Sequence, residues 1–341
     1  MRFTNTALIS AAIVLTAVTG ANADINVVTS IKPVHSLVSA VMKDIGIPSL
    51  IVDGAASPHT YSLKPSQAKQ LQNADLIFWM GDELEAFLEK PIEAIAKNAI
   101  SVNLLESHEL KKLKFREGGA FDDHGHDDHD NHDKHAKDDH DDHDKHAKDD
   151  HDDHDKHAKD DHDDHGHEGF DPHVWLDPVN AKAMVHEIEE ALAKVDPTNA
   201  AKYEENAERL MLKMDKLINE VTADLKPVSD KGFIVFHDAY QYFEQRFNVS
   251  AIGSITVSPE VLPGAQRIAA LQEKIRDLGA TCVFSEPQFE SKLVATVIEN
   301  TNTRVGVIDP LGASIPNGPN HYFTLIKNMA DALKSCLSGN S

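Results

Sequence analysis

Basic side chains are scarce in this sequence: 33 Lys and Arg stand against 56 Asp and Glu, a formal net charge of −23 over 341 residues. A surplus of that sign repels phosphate backbones and anionic headgroups. It argues against a nucleic-acid binder and makes cations the natural partners. Cysteine is scarcer still, with Cys282 and Cys336 alone, and their spacing excludes a Cys-x-x-Cys redox site. After the first two dozen residues no apolar run is long enough to span a bilayer. Three histidines with an open position could activate water, but there is no His-Glu-x-x-His helix and no evident general base paired with a nucleophile, so a zinc hydrolase is the disfavoured rival and no enzyme is expected.

The N-terminus reads as an export signal. Arg2 supplies the positive charge, 7–18 is an apolar run, and Ala21-Asn22-Ala23 is a small-x-small cleavage site. The run falls short of the about 20 residues of a stable transmembrane helix. Cleavage before Asp24 is expected; an uncleaved anchor is the alternative. No cysteine follows the run, so no lipid anchor is expected, and a free exported chain needs a compartment that retains it, the bacterial periplasm. In that oxidising setting two cysteines imply one disulfide, closing a loop of about 54 residues worth about 4 kcal/mol at most in the chain-entropy model. Two buried free thiols are the other reading.

The acidic surplus is concentrated. Between positions 121 and 168 there are 21 acidic residues and six lysines, a net of −15, which leaves an ordinary −8 for the remainder. An 11-residue unit repeats there, clearest as HDDHDKHAKDD at 140–150 and 151–161, and 14 of the 21 histidines lie in it. With almost no apolar residue, 122–168 cannot offset its ordering entropy by burial, and it reads as a disordered insertion. An 11-residue period also suits a right-handed coiled coil, but no apolar seam exists. The chemistry is imidazole beside carboxylate, suited to zinc, copper or nickel. His129, His132, His135, His140, His143, His146, His151, His154, His157, His162, His165 and His167 are candidates for weak accessory metal sites. Repeat slippage leaving a tolerated polar loop is the bland alternative.

The rest alternates apolar runs with helical patterns, which predicts an α/β chain of two parallel-sheet domains. Strands are expected at 25–31, 50–52, 75–80 and 100–104, and again at 233–236, 249–252, 282–285 and 305–308. Helices are expected at 33–45, 65–73, 83–97, 239–247, 263–278, 289–300 and 322–337. Between the halves, Tyr203, Ala207, Leu210, Met211, Met214, Leu217, Ile218, Val221 and Leu225 recur at three-and-four spacing. They predict one long rigid helix that opens at Asp196-Pro197 and ends before Pro227. The expected layout is 1–23 signal, 24–195 first domain, 196–226 linking helix and 227–341 second domain.

Seven histidines lie outside the insertion. His59, His173 and His237 stand in loops near strand ends, where parallel α/β layers gather ligands, and Asp309 holds a matching place after a strand. Three imidazoles and one carboxylate fit four-coordinate zinc in a cleft between domains. His35, His108, His186 and His321 are expected on the surface or capping helices.

The stretches SPHTYSLKPSQ (57–67), DPHVWLDP (171–178), FHDAY (236–240) and DPLG (309–312) resemble the periplasmic metal-binding proteins of ABC-type zinc and manganese importers, and the zinc members above all. The resemblance covers 24–337, broken by the insertion, and a histidine-rich insertion before the second motif is itself typical of zinc members. It implies two α/β domains, a rigid connecting helix, and Zn2+ as transported substrate held by His59, His173 and His237. Asp309 or water would be the fourth ligand; Pro58 stands where some zinc members carry Glu. An imidazole at 237, where manganese members tend to carry Glu, favours zinc. The implied partners are an inner-membrane permease and its ATPase, with the chain a monomer, and the resemblance supports a Cys282–Cys336 disulfide. A periplasmic zinc buffer and a manganese carrier are the alternatives.

Overall fold

The computed structural model describes residues 25–116, 121, 169–256, 263–278, 280–289 and 292–339. The expected export signal at 1–23 and the His/Asp-rich segment at 122–168, with its twelve candidate histidines, lie outside the described residues.

In the first half, β1 (Val27–Ile31), β2 (Ser49–Val52), β3 (Leu76–Trp79) and β4 (Ile100–Asn103) form a parallel sheet in the order β2-β1-β3-β4. In the second, β5 (Gly232–His237), β6 (Ser250–Thr256), β7 (Cys282–Ser285) and β8 (Arg304–Val307) repeat it as β6-β5-β7-β8. In each sheet the chain steps to one side, then crosses to the other. The crossovers diverge at β1/β3 and at β5/β7, so a crevice opens at the carboxyl ends of those strands. Central strands read as unbroken apolar runs because both faces are covered: every residue of β3 and β7 is buried. The expected strands match these to within a few residues.

The helices are α1 (Lys32–Val41), α2 (Pro65–Gln72), α3 (Asp82–Ile95), α4 (Pro178–Val195), α5 (Ala200–Leu225), α6 (Gln241–Phe247), α7 (Ala265–Leu278), α8 (Lys292–Val297) and α9 (His321–Ser338). Helix α4 is not among the helices expected from the sequence. Asp177-Pro178, read there only as part of a metal motif, is also a helix start. The Asp177 carboxylate accepts from the Val179 amide at 2.8 Å, and Pro178 takes the first position, where no N–H is needed. Met184, Val185, Ile188 and Leu192 form its buried stripe. Helix α8 is shorter than the expected 289–300.

Helix α5 fulfils the long-helix expectation. It follows a short 3-10 turn at Pro197–Asn199 and stops two residues before Pro227. Its 26 residues span about 39 Å at the usual rise. It packs against α1 and α4 of the first half and α6 and α9 of the second. One buried apolar cluster runs from Val27 through α5 to Leu337 and draws residues from both halves. A smaller cluster, with Ile234, Phe236 and Leu271, lies on the other side of the second sheet. Because the halves share the larger core, parting them widely would expose apolar surface, which opposes large hinge motion. Cys282 and Cys336 are disulfide-bonded, with Cα atoms 6.2 Å apart, and tie β7 to α9. Among the described residues no helix is long and apolar enough to cross a membrane.

Candidate metal centre

Three local devices bring three imidazoles together. His59 sits in a 3-10 turn, Pro58–Thr60, that follows β2, with Pro58 fixing its first residue. His173 caps the turn Val174–Leu176. His237 is the last residue of β5, at the β5/β7 switch point. One ligand atom from each of the three falls within 4.8 Å of the others. The Nε2 of His173 is 3.3 Å from that of His59 and 3.4 Å from that of His237. Nitrogen ligands about 2.0–2.1 Å from a tetrahedral ion stand about 3.3 Å apart, so His173 already has that spacing to each of the other two rings. Pro58, Trp175, Phe289, Pro310 and Leu311 wall the group, and the free space is about 10 Å³. That is room for one ion or one water and for no organic ligand.

The far nitrogens are held by acids. His173 Nδ1 lies 2.6 Å from Asp171 Oδ1, which also accepts from the His173 amide at 3.0 Å. His237 Nδ1 lies 2.7 Å from Glu286 Oε1. A carboxylate on Nδ1 keeps the proton there, so the Nε2 lone pair faces the centre. Burial, then the neighbouring His173 and His237, holds His59 well below the ordinary imidazole pKa. Burial and then His237 do the same to His173. Burial also pulls on His237, but the bonded Glu286, with Asp171 and Asp238 near, raises it above its ordinary value. Asp171 is fully buried, and that burial pushes its carboxyl up to about 7. Two of the three rings are therefore neutral donors at neutral pH.

Glu286 is absent from the sequence reading, and Asp171 appears there without a role. The signal for Glu286 was available in strand register. Strands β5 and β7 pair Phe233 with Cys282 and Ile234 with Val283. The same offset of 49 residues sets Glu286 beside His237. We expect Glu286→Gln, which keeps the shape but weakens the acceptor, to lower zinc affinity about ten- to a hundredfold, as chelator competition would measure.

Asp309 is the expected fourth ligand, with water as the alternative. It is not in the histidine group. Its Oδ1 accepts from the Leu311 amide, the Gly312 amide and Gln288 Nε2 at 3.0, 2.9 and 2.8 Å, and its Oδ2 accepts from the Ala313 amide at 2.6 Å. The carboxylate organises the turn after β8, in which Gly312 takes a positive φ of 67°. Two of the remaining histidines also correct their expectation. His35 is buried with Nε2 3.2 Å from the Pro48 carbonyl, and His321 is buried against the Leu311 carbonyl at 2.9 Å. Both fill the core, His35 with partners on both ring nitrogens and His321 with its Nδ1 left buried without one. His108 and His186 are exposed, as expected.

Two α/β halves braced by one helix, with a histidine trio sized for a single ion between them, define a metal-capturing binding protein. The chain matches the family described as zinc-uptake complex component A, periplasmic, over residues 27–336, and it belongs to that family. It is 57% identical over 312 residues to the high-affinity zinc uptake system protein ZnuA of Brucella suis biovar 1, covering 92% of this chain and 91% of that one. To the protein of the same name from Paracoccus denitrificans it is 40% identical, covering 98% of each. Among solved structures, a zinc-bound deletion mutant of ZnuA shares the fold at TM-score 0.68 and 22% identity, over 92% of this chain and 98% of that one.

Proposed function

We propose that this chain captures one Zn2+ on the Nε2 atoms of His59, His173 and His237 and delivers it to the permease of an ABC-type zinc importer. The observation that carries the ligand set is the spacing of those atoms, 3.3 and 3.4 Å, in a space for a single ion. Three imidazole ligands suit a borderline ion such as zinc better than hard manganese. With the Asp309 oxygens engaged by backbone amides, the fourth position falls to water. The protein is a component of an uptake complex and not an enzyme. In this reading the chain works as a monomer, the signal is removed after Ala23, and 24–195, 196–226 and 227–341 act as first domain, brace and second domain. The histidines of 122–168 are accessory, weaker sites.

The test is a zinc titration with a chelator competitor on mature protein lacking 122–168. One tight Zn2+ per chain, with Mn2+ bound more weakly, is the expected result. A chain with no tight site would return an essential ligand to the deleted segment and overturn the trio.

A further inference from the structure

The residues on either side of the His/Asp-rich sequence form a stem belonging to the first half of the chain, with Lys114 and Phe170 joined in an antiparallel bridge. That stem is fastened to α6 of the second half. The Leu113 amide donates to the Tyr242 hydroxyl at 2.9 Å, and that hydroxyl donates to the Asp171 carbonyl at 2.8 Å. Gln241 Nε2 donates to the Lys114 carbonyl at 3.1 Å. Arg116 makes the strongest link. Its Nε reaches both Asp238 oxygens at 3.0 Å, its Nη1 reaches Glu244 Oε2 at 2.8 Å, and its Nη2 reaches Glu244 Oε1 at 2.9 Å and Asp238 Oδ1. Both carboxylates are buried. One guanidinium thus bridges two acids in a fork geometry that an ammonium does not reproduce.

What Arg116 grips matters for the trio. The Ala239 amide donates to the His237 carbonyl at 2.9 Å, so 237–239 is a three-residue turn with Asp238 at its centre. The acid at the middle of that turn is the one Arg116 holds in two-oxygen contact. His237 follows the backbone of the turn. Across the cleft, Asp171 on the same stem holds His173 through Nδ1. The stem therefore carries one imidazole's orienting acid and, through Arg116, grips the turn that aims another imidazole.

We propose that Arg116 is a positioning residue of the metal centre: through Asp238 it fixes the His237 ring against His173 and latches the two halves beside the ion. It touches neither the ion nor its ligands. The inference rests on the histidine trio being the zinc site. Losing the latch frees the His237 turn and lets the halves part locally, which shows first in the rate of zinc release.

The test uses the full chain loaded with one equivalent of Zn2+ and mixed with excess chelator, reading the slowest release phase. Arg116→Lys keeps the charge and loses the fork. Because an unpaired buried Asp238 and Glu244 could unfold a simpler variant, Arg116→Met combined with Asp238→Asn and Glu244→Gln removes the latch without stranding a charge. Both variants are expected to release zinc at least fivefold faster and to shift the visible absorption of bound Co2+, a ligand-geometry signal that general loss of stability does not produce. Release less than fivefold faster in both variants, with an unchanged Co2+ spectrum, overturns the proposal. His173→Ala in the same assay separates the two failures: if the slow phase survives it, the trio is not the site and the inference falls with that reading.

Discussion

Replacing His173 by alanine is expected to lower zinc affinity about a hundred- to a thousandfold while the protein stays folded. His173 is the hub of the trio, since its Nε2 faces both of the other Nε2 atoms. Structural zinc sites with four protein ligands gain roughly 10–16 kcal/mol, so one ligand's share is about 2.5–4 kcal/mol, or about two to three powers of ten. The removal also leaves Asp171 buried without the imidazole it holds. That acid has its pKa raised to about 7 by burial, so it can take a proton near neutrality and avoid a stranded charge. The apolar wall of Trp175 and Leu311 supplies no substitute ligand, and a water in the vacated space binds zinc less tightly than an imidazole. His108→Ala and His186→Ala, on exposed side chains, serve as controls with unchanged affinity. Chelator competition against Zn2+ reads the effect. An affinity within tenfold of the unaltered chain would remove His173 from the centre.

The parts of this molecule that were legible in its sequence share one property: they depend on neighbours in the chain. The central strands showed as apolar runs because they are buried on two faces, and α5 showed because Tyr203 to Leu225 keep a helical period. His59, His173 and His237 showed because each stands in a Pro- or strand-end context that fixes its own backbone. Glu286 did not, since its role exists only once β5 and β7 lie side by side. Asp309, expected as the fourth ligand with water as the alternative, lies outside the histidine group for a related reason. An acid after a strand and before Pro310 suits a metal ligand and a turn organiser equally, and the three amides of 311–313 that decide between them are available only when the loop has closed. His321 was misjudged because burial against the Leu311 carbonyl is a contact across ten residues of loop, with no trace in local pattern. Helix α4 was hidden by the site itself: one dipeptide, Asp177-Pro178, ends the motif carrying His173 and begins the helix behind it.

Removing the disulfide by Cys282→Ala with Cys336→Ala should lower stability by about 4 kcal/mol, the entropy of a loop of some 54 residues, within the roughly 2–5 kcal/mol seen for native bridges. For a chain of this size that corresponds to a fall of about 6 °C in the thermal midpoint of the zinc-free protein, read by calorimetry. Both sulfurs are buried, Cys282 in the middle of the second sheet and Cys336 on the inner face of α9. Two alanines there leave a small void as well as a longer unfolded chain, and the void adds to the loss. Neither residue lines the metal centre. The bridge nevertheless holds the first residue of β7, the strand whose end presents Glu286 to His237. β7 is also paired on both sides, with β5 and β8, which keeps its register without the bridge. The variant should therefore still bind one Zn2+ at 25 °C with affinity close to that of the unaltered chain. A midpoint that stayed within 2 °C would mean that β-sheet pairing and the shared core already confine α9, and that the unfolded chain gains little freedom when the bridge is absent.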